Sequence, residues 1–522
     1  MKQHSVLIGS PIHQEYPILK EFLTSLSELK QTNITIHYMF VDDNTDKASK
    51  QLLRNFAQDN EGSTEIIAPS PYDHQGYSRN GNTHIWNHQA IWKVAEFKNQ
   101  IIKHARDKGY DYLFLIDSDL LIHPNTIEYL IRIDKNIIST IFWTKWQINA
   151  DPLPQVWVQD EYTLYHATHG ERLSDEEKKR RTMEFINQLK VPGTYEVGGL
   201  GACTLLSAHA LNTGVNFSPI PNLSFWGEDR HFCIRAQALG LSLYVDTHYP
   251  AYHIYRSSDL EAVEDYKDDN QERISPLEVS DILAKRISKD NNNKITLSMI
   301  MKNEASRYLK KVLLQHRDFI DSAVIIDDGS EDNSIEVCKQ ILAGIPTHIV
   351  QNKRSAFANE VELRKQQWEE TIKTKPDWIL NLDADELLED KATNEIRELI
   401  NQSDIDLYSF RLYDMWDEEH YRDDNYWQSH LCYRPFLLRY QPNFDYQWKK
   451  KRFHCGRFPA NIYHLPNAIS RLRIKHFGWT NAKERQQKYN RYLELDPDSE
   501  FGWNEQYQSI LDAHPRLIKW QD

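Results

Sequence analysis

A short apolar run that ends in two aspartates one residue apart occurs twice in this chain, and the repeat restricts the architecture more than any other feature. The first copy is Leu113 to Asp119, Leu-Phe-Leu-Ile-Asp-Ser-Asp, and the second, Trp378 to Asp385, lies 266 positions downstream. Asp111, Asp117 and Asp119 answer to Asp377, Asp383 and Asp385, and Lys98 answers to Arg364, each cation 19 residues before its first motif Asp. An apolar run rich in Leu and Ile reads as a buried parallel strand. Carboxylates at i and i+2 past its end can share one ligand, and they suit a hard divalent cation that bridges protein to phosphate. A single copy would serve equally well as a helix cap, because Asp and Ser are good N-caps. Two copies, each after the same helix and strand, favour a ligand site and predict two α/β domains in tandem.

The totals narrow the classes of partner. A chain of 522 residues exceeds one ordinary core. Its net charge of -14, from 76 acidic and 62 basic residues, argues against a nucleic-acid footprint. Cys203, Cys233, Cys338, Cys432 and Cys455 show no Cys-x-x-Cys spacing, so neither a zinc site nor a disulfide framework is expected, and a cytoplasmic setting fits. The N-terminus lacks a signal-peptide apolar region and no window resembles a transmembrane segment, which leaves peripheral contact as the expected membrane role.

In the first half, Val6 to Ser10 is strand-like and ends in Gly-Ser-Pro, with Pro11 closing it, and Tyr16 to Leu29 has helical apolar spacing. Ile34 to Val41 is a second strand that runs into Asp42 and Asp43, at the strand end where open α/β sheets bind ligands; a plain capping turn is the other reading. Pro69 to Asn87 reads as a long loop, and Trp86 to Lys108 as the helix that delivers the chain to the Asp-x-Asp strand. Ile137 to Trp146 is a strand candidate and Ser174 to Leu189 a charged helical insertion. The glycines of Glu196 to Leu206 do not form a dinucleotide fingerprint and point to close backbone approach. Trp226-Gly-Glu228-Asp229 sets carboxylates beside an aromatic residue at a helix start, suited either to a proton-accepting role or to complementing the helix dipole. His253 gains interest as a further ligand to a metal at Asp119.

This order of parts resembles the nucleotide-sugar-dependent glycosyltransferases of the GT-A fold, specifically family 2. The resemblance implies that Asp42 and Asp43, with Pro11 nearby, hold the base and ribose, with Lys98 on the nucleotide side. It implies that Asp117 contacts ribose, while Asp119 and His253 bind a Mg or Mn ion on the diphosphate. In inverting members the Asp of the Glu-Asp pair is the general base, which implies Asp229 in that role with Glu228 supporting it. Gly-Ser-Pro departs from the more usual Asn-Glu opening.

Asp259 to Asn293 reads as an exposed helical linker, after which the pattern restarts. Ile295 to Met301 is a strand followed by Lys302-Asn303-Glu304, and Ala323 to Ile326 leads into Asp327-Asp328-Gly329-Ser330. Asp383-Ala384-Asp385-Glu386 is the more specific form of the repeated motif. By resemblance Asp327, Asp328, Arg364 and Asp383 take the nucleotide, and Asp385 and His476 the metal. The halves then diverge: no Trp-Gly-Glu-Asp recurs, and the interval from first motif Asp to late His falls from 136 to 93 residues. Asp417 or Glu418 is a candidate base or part of a solvated loop, and Arg452, His454 and Arg457 form a cationic cluster. The expected layout is a first GT-A domain over 1–262, a linker over 263–293, a second GT-A domain over 294–488 and a helical C-terminal extension over 489–522. Each domain is expected to be Rossmann-like, a mixed sheet flanked by helices.

The implied function is metal-dependent transfer of a hexose from a nucleoside-diphosphate sugar, a UDP-sugar first, to a glycan or glycoconjugate acceptor, inverting in the first domain. Two other readings stand beside it. One domain is a carbohydrate- or nucleotide-binding module, or the chain is a metal-dependent nucleotidyltransferase, distinguished by pyrophosphate release.

Overall fold

The computed structural model describes residues 3–69, 78–80, 83–85, 88–147, 150–224, 227–271, 286–288, 292–356, 359–448, 456–495 and 504–521. The chain divides into two compact units, Met1–Pro276 and Leu277–Asp522. Each is a mixed α/β unit built on one large sheet flanked by helices.

In the first unit the strand His4–Ile12 lies at the centre, parallel to Ile34–Asp42 on one side and to Tyr112–Leu115 on the other. Val6, Leu7 and Ile8 are almost wholly buried, as expected of a central parallel strand covered on both faces. The sheet turns antiparallel at Thr204–Ser207, which pairs with Tyr112–Leu115 and with Ile137–Thr144. Helix Tyr16–Ser27 buries Leu19, Phe22, Leu23 and Leu26 at helical spacing, and His88–Lys108 buries Val94, Ile101 and Ala105. Asp175–Leu189 forms the charged insertion helix, capped by Ser174, whose hydroxyl accepts from the Glu177 N–H at 3.1 Å.

The second unit repeats this centre. Ile295–Met301 is parallel to Ser322–Asp327 and to Trp378–Asn381, and Tyr433–Arg439 pairs antiparallel with Trp378–Asn381. The turns match as well. The Ile116 N–H donates to Gly9 O at 3.1 Å, and the Leu382 N–H, 266 positions on, to Ser298 O at 3.2 Å.

Three regions differ from the sequence expectation. The Pro69 to Asn87 stretch is not loop throughout, because Ser78–Asn80 and Thr83–Ile85 pair as a short antiparallel ribbon. The expected helical linker begins as a helix, Val263–Gln271, but this helix packs on the first unit instead of standing exposed: the Tyr266 hydroxyl donates to Leu121 O at 3.2 Å, and Lys267 pairs with Glu21 at 2.8 Å. The C-terminal extension carries, besides helix Asn504–Ser509, a strand, Leu517–Lys519, paired antiparallel with His420–Arg422 of the second unit. None of these was visible as periodicity, because short strands and packed helix faces are decided by what they meet.

Candidate functional site

In the first unit the carboxyl ends of the central strands bring the expected residues to one edge. Asp42 ends its strand and accepts from the Asn44 backbone N–H and side-chain amide at 3.2 and 2.8 Å. Asp43 is buried and meets the buried ammonium of Lys93 at 2.6 Å, a partner that sequence reasoning passed over. Pro11 lies in register with Val41, one residue before Asp42.

Lys98 is 3% exposed and stands among three carboxylates: Glu228 Oε1 at 2.9 Å, Asp229 Oδ1 at 3.4 Å and Asp117 Oδ1 at 3.8 Å. It was expected on the nucleotide side, yet its shortest contacts are to the Glu-Asp pair. Burial alone would lower the Lys98 pKa, but the surrounding carboxylates outweigh it and hold the group well above its ordinary value. One ammonium cannot neutralise three carboxylates. Burial accordingly pushes the Asp229 carboxyl up to about 7, with Glu228 and Asp117 adding to the rise and Lys98 opposing it. Asp117 is raised too, by burial first and then by its acidic neighbours Asp119 and Glu228.

Glu228 and Asp229 open the helix Glu228–Ala238 immediately after Gly227, whose φ of 109° lies in the left-handed region that favours glycine. Lys98, Asp117 and Asp229 line one small cavity together with Gly201, Phe217 and Phe232. Close approaches are present at two of the glycines: a Cβ on Gly198 would collide with the Val158 carbonyl oxygen, and one on Gly199 with the Trp157 ring. Trp226 falls outside the described residues.

His253 faces Asp119, Nε2 to Oδ2 at 3.6 Å, and its other ring nitrogen meets the Thr144 hydroxyl at 2.9 Å. That second contact orients the ring with Nε2 toward the carboxylate, the arrangement in which a histidine ligates a metal. No group of three or more metal-ligating side chains is present among the described residues. A carboxylate and an imidazole still fit a divalent ion that takes its remaining ligands from diphosphate and water.

The second unit reproduces the frame with different charges. His476 lies opposite Glu386 and His253 opposite Leu120, equivalent positions of the two repeats. The Phe477 N–H donates to Asp385 O at 2.8 Å as the Ile254 N–H does to Asp119 O at 2.9 Å. The two late histidines are thus structural equivalents despite their unequal intervals.

Asp383, however, lies between two guanidinium groups, Arg364 Nη2 and Arg457 Nη1, each at 3.1 Å. Burial would raise its pKa, and the two arginines hold it below the ordinary carboxylate range. Arg457 also clamps Glu386, while Arg452 and His454 fall outside the described residues.

His476 Nε2 faces Asp385 Oδ2 at 3.7 Å, and its Nδ1 meets Asp414 at 2.7 Å. Against the effect of burial, these two carboxylates push the imidazole up to about 10. Asp385 is held well below its ordinary value by His476, with Lys488 and Arg307 contributing, although burial opposes it.

Asp327 accepts from the Ser330 N–H at 3.3 Å. Asp328 is committed inside the protein, accepting from the Ser355 hydroxyl at 2.5 Å, the Ala356 N–H at 2.9 Å and the Asn352 amide at 3.0 Å. Its carboxylate orders the 352–356 loop, which is why it does not stand open at the strand end as expected.

The two candidate bases of this unit are engaged locally. Asp417 caps a turn through His420, and Glu418 is exposed and paired with Lys311 at 2.7 Å. Thr144 and Asp414, each on the strand parallel to that of its unit's late histidine and each meeting that histidine's Nδ1, were missed, as were Arg307 and Lys488, because no motif in the sequence marks them.

No described helix is long and apolar enough to cross a membrane. Residues 4–148 match the model of the glycosyltransferase family 25 N-terminal domain. Uncharacterized proteins of Mycobacterium tuberculosis and Mycobacterium bovis are each 26% identical to this chain over 227 residues, covering 41% of it. The match spans about half, 54%, of the length of those curated relatives. Among solved structures, the chain is similar to S. aureus TarS over 42% of each chain, at 12% identity and a TM-score of 0.27. It is also similar to a Pyrobaculum calidifontis mannosyltransferase solved with GDP-Man and Mn2+, over 52% of this chain and 63% of that one, at 12% identity and a TM-score of 0.30. The match to this glycosyltransferase-family domain covers the strands that carry Asp42, Asp43, Asp117 and Asp119.

Proposed function

We propose that the first unit transfers a sugar, a hexose in the leading case, from a nucleoside-diphosphate sugar to a hydroxyl of a glycan or glycoconjugate acceptor, with inversion. The observation that carries this is Asp229, a carboxylate raised to about 7 in a small cavity beside Asp117, one strand end away from the Asp119 and His253 pair. A base with a pKa near the working pH is matched to removing a hydroxyl proton. Asp229 takes the acceptor proton as the acceptor oxygen bonds to the anomeric carbon and the bond to the diphosphate oxygen breaks. Glu228 and Lys98 hold Asp229 in place and set its charge. Asp42, Asp43 and Pro11 lie where base and ribose would be held, with Asp117 toward the ribose. Asp119 and His253 would hold a Mg or Mn ion, which when bound supplies positive charge to the departing diphosphate. UDP is the first nucleotide to try, and the free state of the four described cysteines suits a reducing cytoplasm.

The same reading makes the second unit a nucleotide-sugar site of family 2 character, through Asp327, Asp383 and the turn Asp328 orders. A second reading has an observation of its own. The described residues of the second unit place no counterpart of Asp229 beside Asp383, where Arg364 and Arg457 stand instead. That favours a nucleotide- or carbohydrate-binding module paired with one active domain.

Asp229→Asn and Asp385→Asn, made separately and assayed for nucleoside diphosphate and glycoside product over a panel of UDP- and GDP-sugars, test the assignment. Loss of transfer only in Asp229→Asn makes the second unit a module. Release of pyrophosphate would identify a nucleotidyltransferase and sink the sugar-transfer reading.

A further inference from the structure

The second Asp-x-Asp carries an ammonium group where the first has room for a metal ion. Gly478 follows His476 by two residues, and an ideal Cβ built on it would lie 2.5 Å from Lys488 Nζ, 2.6 Å from His476 Nε2 and 2.8 Å from Asp385 Oδ2. A cation, a ring nitrogen and a carboxylate oxygen therefore converge on one small space that only glycine leaves open. Two of these three groups are the pair whose counterparts, Asp119 and His253, form the candidate metal site of the first unit. The third is a positive charge.

Two independent contacts determine where that ammonium stands. Its Nζ lies 4.3 Å from the centre of the Trp479 ring, a cation–π contact. Its helix, Ala482–Leu495, is pinned one turn earlier, where Glu484 meets the Arg307 guanidinium at 2.7 and 3.1 Å. Residues 484 and 488 share a helix face, so the ion pair that docks the helix also aims Lys488 at Asp385. Arg307 in turn meets Glu304 at 2.6 Å, tying this helix to the exit of the central strand. A divalent ion between Asp385 and His476 would be placed against a fixed like charge. The donor set as it stands does not fit the metal that the repeat led us to expect there.

We propose that the second unit binds a nucleoside diphosphate without a divalent cation, with the Lys488 ammonium in the cradle of Gly478 donating to a phosphate oxygen. This rests on reading the second unit as a nucleotide site. Lysine is a common phosphate donor, acting as a point charge with three rotatable hydrogens. Arg457 and Arg364 already neutralise Asp383, the carboxylate that would otherwise repel the same diphosphate.

The test is calorimetric binding of UDP and GDP to the full chain carrying Asp117→Asn and Asp119→Asn, which disables the first site, in Mn2+ and in EDTA. The expected result is binding of at least one nucleotide that EDTA leaves within about threefold, less than the 1.4 kcal/mol of a tenfold change. On that background, loss of one charge-assisted hydrogen bond in Lys488→Met weakens binding in EDTA about ten- to a hundredfold. Gly478→Ala, which fills the cradle, has the same effect, and Lys488→Arg restores part of the loss. Unchanged melting temperatures separate these losses from misfolding. Binding that appears only with Mn2+, or that ignores Lys488→Met, overturns the inference and leaves the nucleotide-site reading intact. Absence of nucleotide binding in both conditions, with the unmutated chain still binding in Mn2+, overturns both for the second unit and leaves the first unit's assignment untouched.

Discussion

The two Asp-x-Asp sites share a backbone frame and differ in charge. Around Asp117 a single buried ammonium, Lys98, serves three carboxylates, and burial, with Glu228 and Asp117 adding to it, raises Asp229 against that ammonium. Around Asp383 and Asp385 stand Arg364, Arg457, Lys488 and an imidazole raised by its own acidic partners. The first arrangement leaves its carboxylates with fewer cations than charges. The second supplies its cations internally. The repeated strand-end motif thus fixes where its groups are placed, while side chains beyond the motif decide what charge they meet.

Breaking the comparison at its base has the largest expected effect. Asp229→Asn removes the acceptor's proton sink, and transfer should fall roughly 10²- to 10⁴-fold at unchanged donor affinity, read as kcat against KM. In the unmutated protein the rate should drop as pH falls below about 7, since the base works deprotonated. Stability runs the other way. A carboxyl raised from 3.8 to about 7 binds its proton more readily folded than unfolded, so its contribution to stability is lost as pH rises through that window. An activity profile flat between pH 5 and 8 would exclude Asp229 as the base.

Lys98→Met tests the charge deficit itself. Removing one partner from a buried charge cluster costs about 3–5 kcal/mol, measurable as a lower denaturation midpoint, and should move the acid limb of the activity profile to higher pH. Arg364→Met, its repeat counterpart, leaves Asp383 its Arg457 partner and should cost less. Equal losses at the two sites would contradict the asymmetry.

A smaller effect is expected at Thr144→Val, which deletes the hydroxyl that orients His253. Outer-shell partners of this kind are worth about 10- to 100-fold in metal affinity, so Mn2+ titration of activity should shift by that factor with protein stability nearly unchanged. Smallest of all is Glu418→Ala. Its exposed pair with Lys311 is worth at most about 1 kcal/mol, and any larger loss of transfer would reinstate it as a base.

Much of this frame was legible from spacing alone. The two strands and the paired Lys98 and Arg364 follow from a local pattern repeated at a fixed offset, whereas the two late histidines, at unequal intervals, are matched by their register in the sheet. Charge environment was not legible in the same way. Asp328 looks like an open ligand in sequence, but a loop more than 20 residues later folds back and takes up its carboxylate. Lys488 has no motif around it and reaches the site through the Trp479 ring and the docking of its helix on Arg307. Asp43 was expected as a nucleotide ligand, yet its proximity to Lys93 depends on how a strand end meets a helix some 50 residues away. Spacing reports periodic backbone; it does not report which distant side chain arrives.

The pairing of Leu517–Lys519 with His420–Arg422 bears on how small a working piece of the second half can be. Arg422 is buried among tryptophan rings, with Asp424, Ser509 O and Asp512 as its acceptors. Trp427 also donates to the Ser509 hydroxyl at 2.8 Å. A fragment ending at residue 488 would strip two acceptors from a guanidinium that water cannot easily reach, and would leave a strand edge open to pairing with another molecule. Production of the second unit by itself therefore calls for a piece that runs through Trp520, and shorter ones are expected to aggregate.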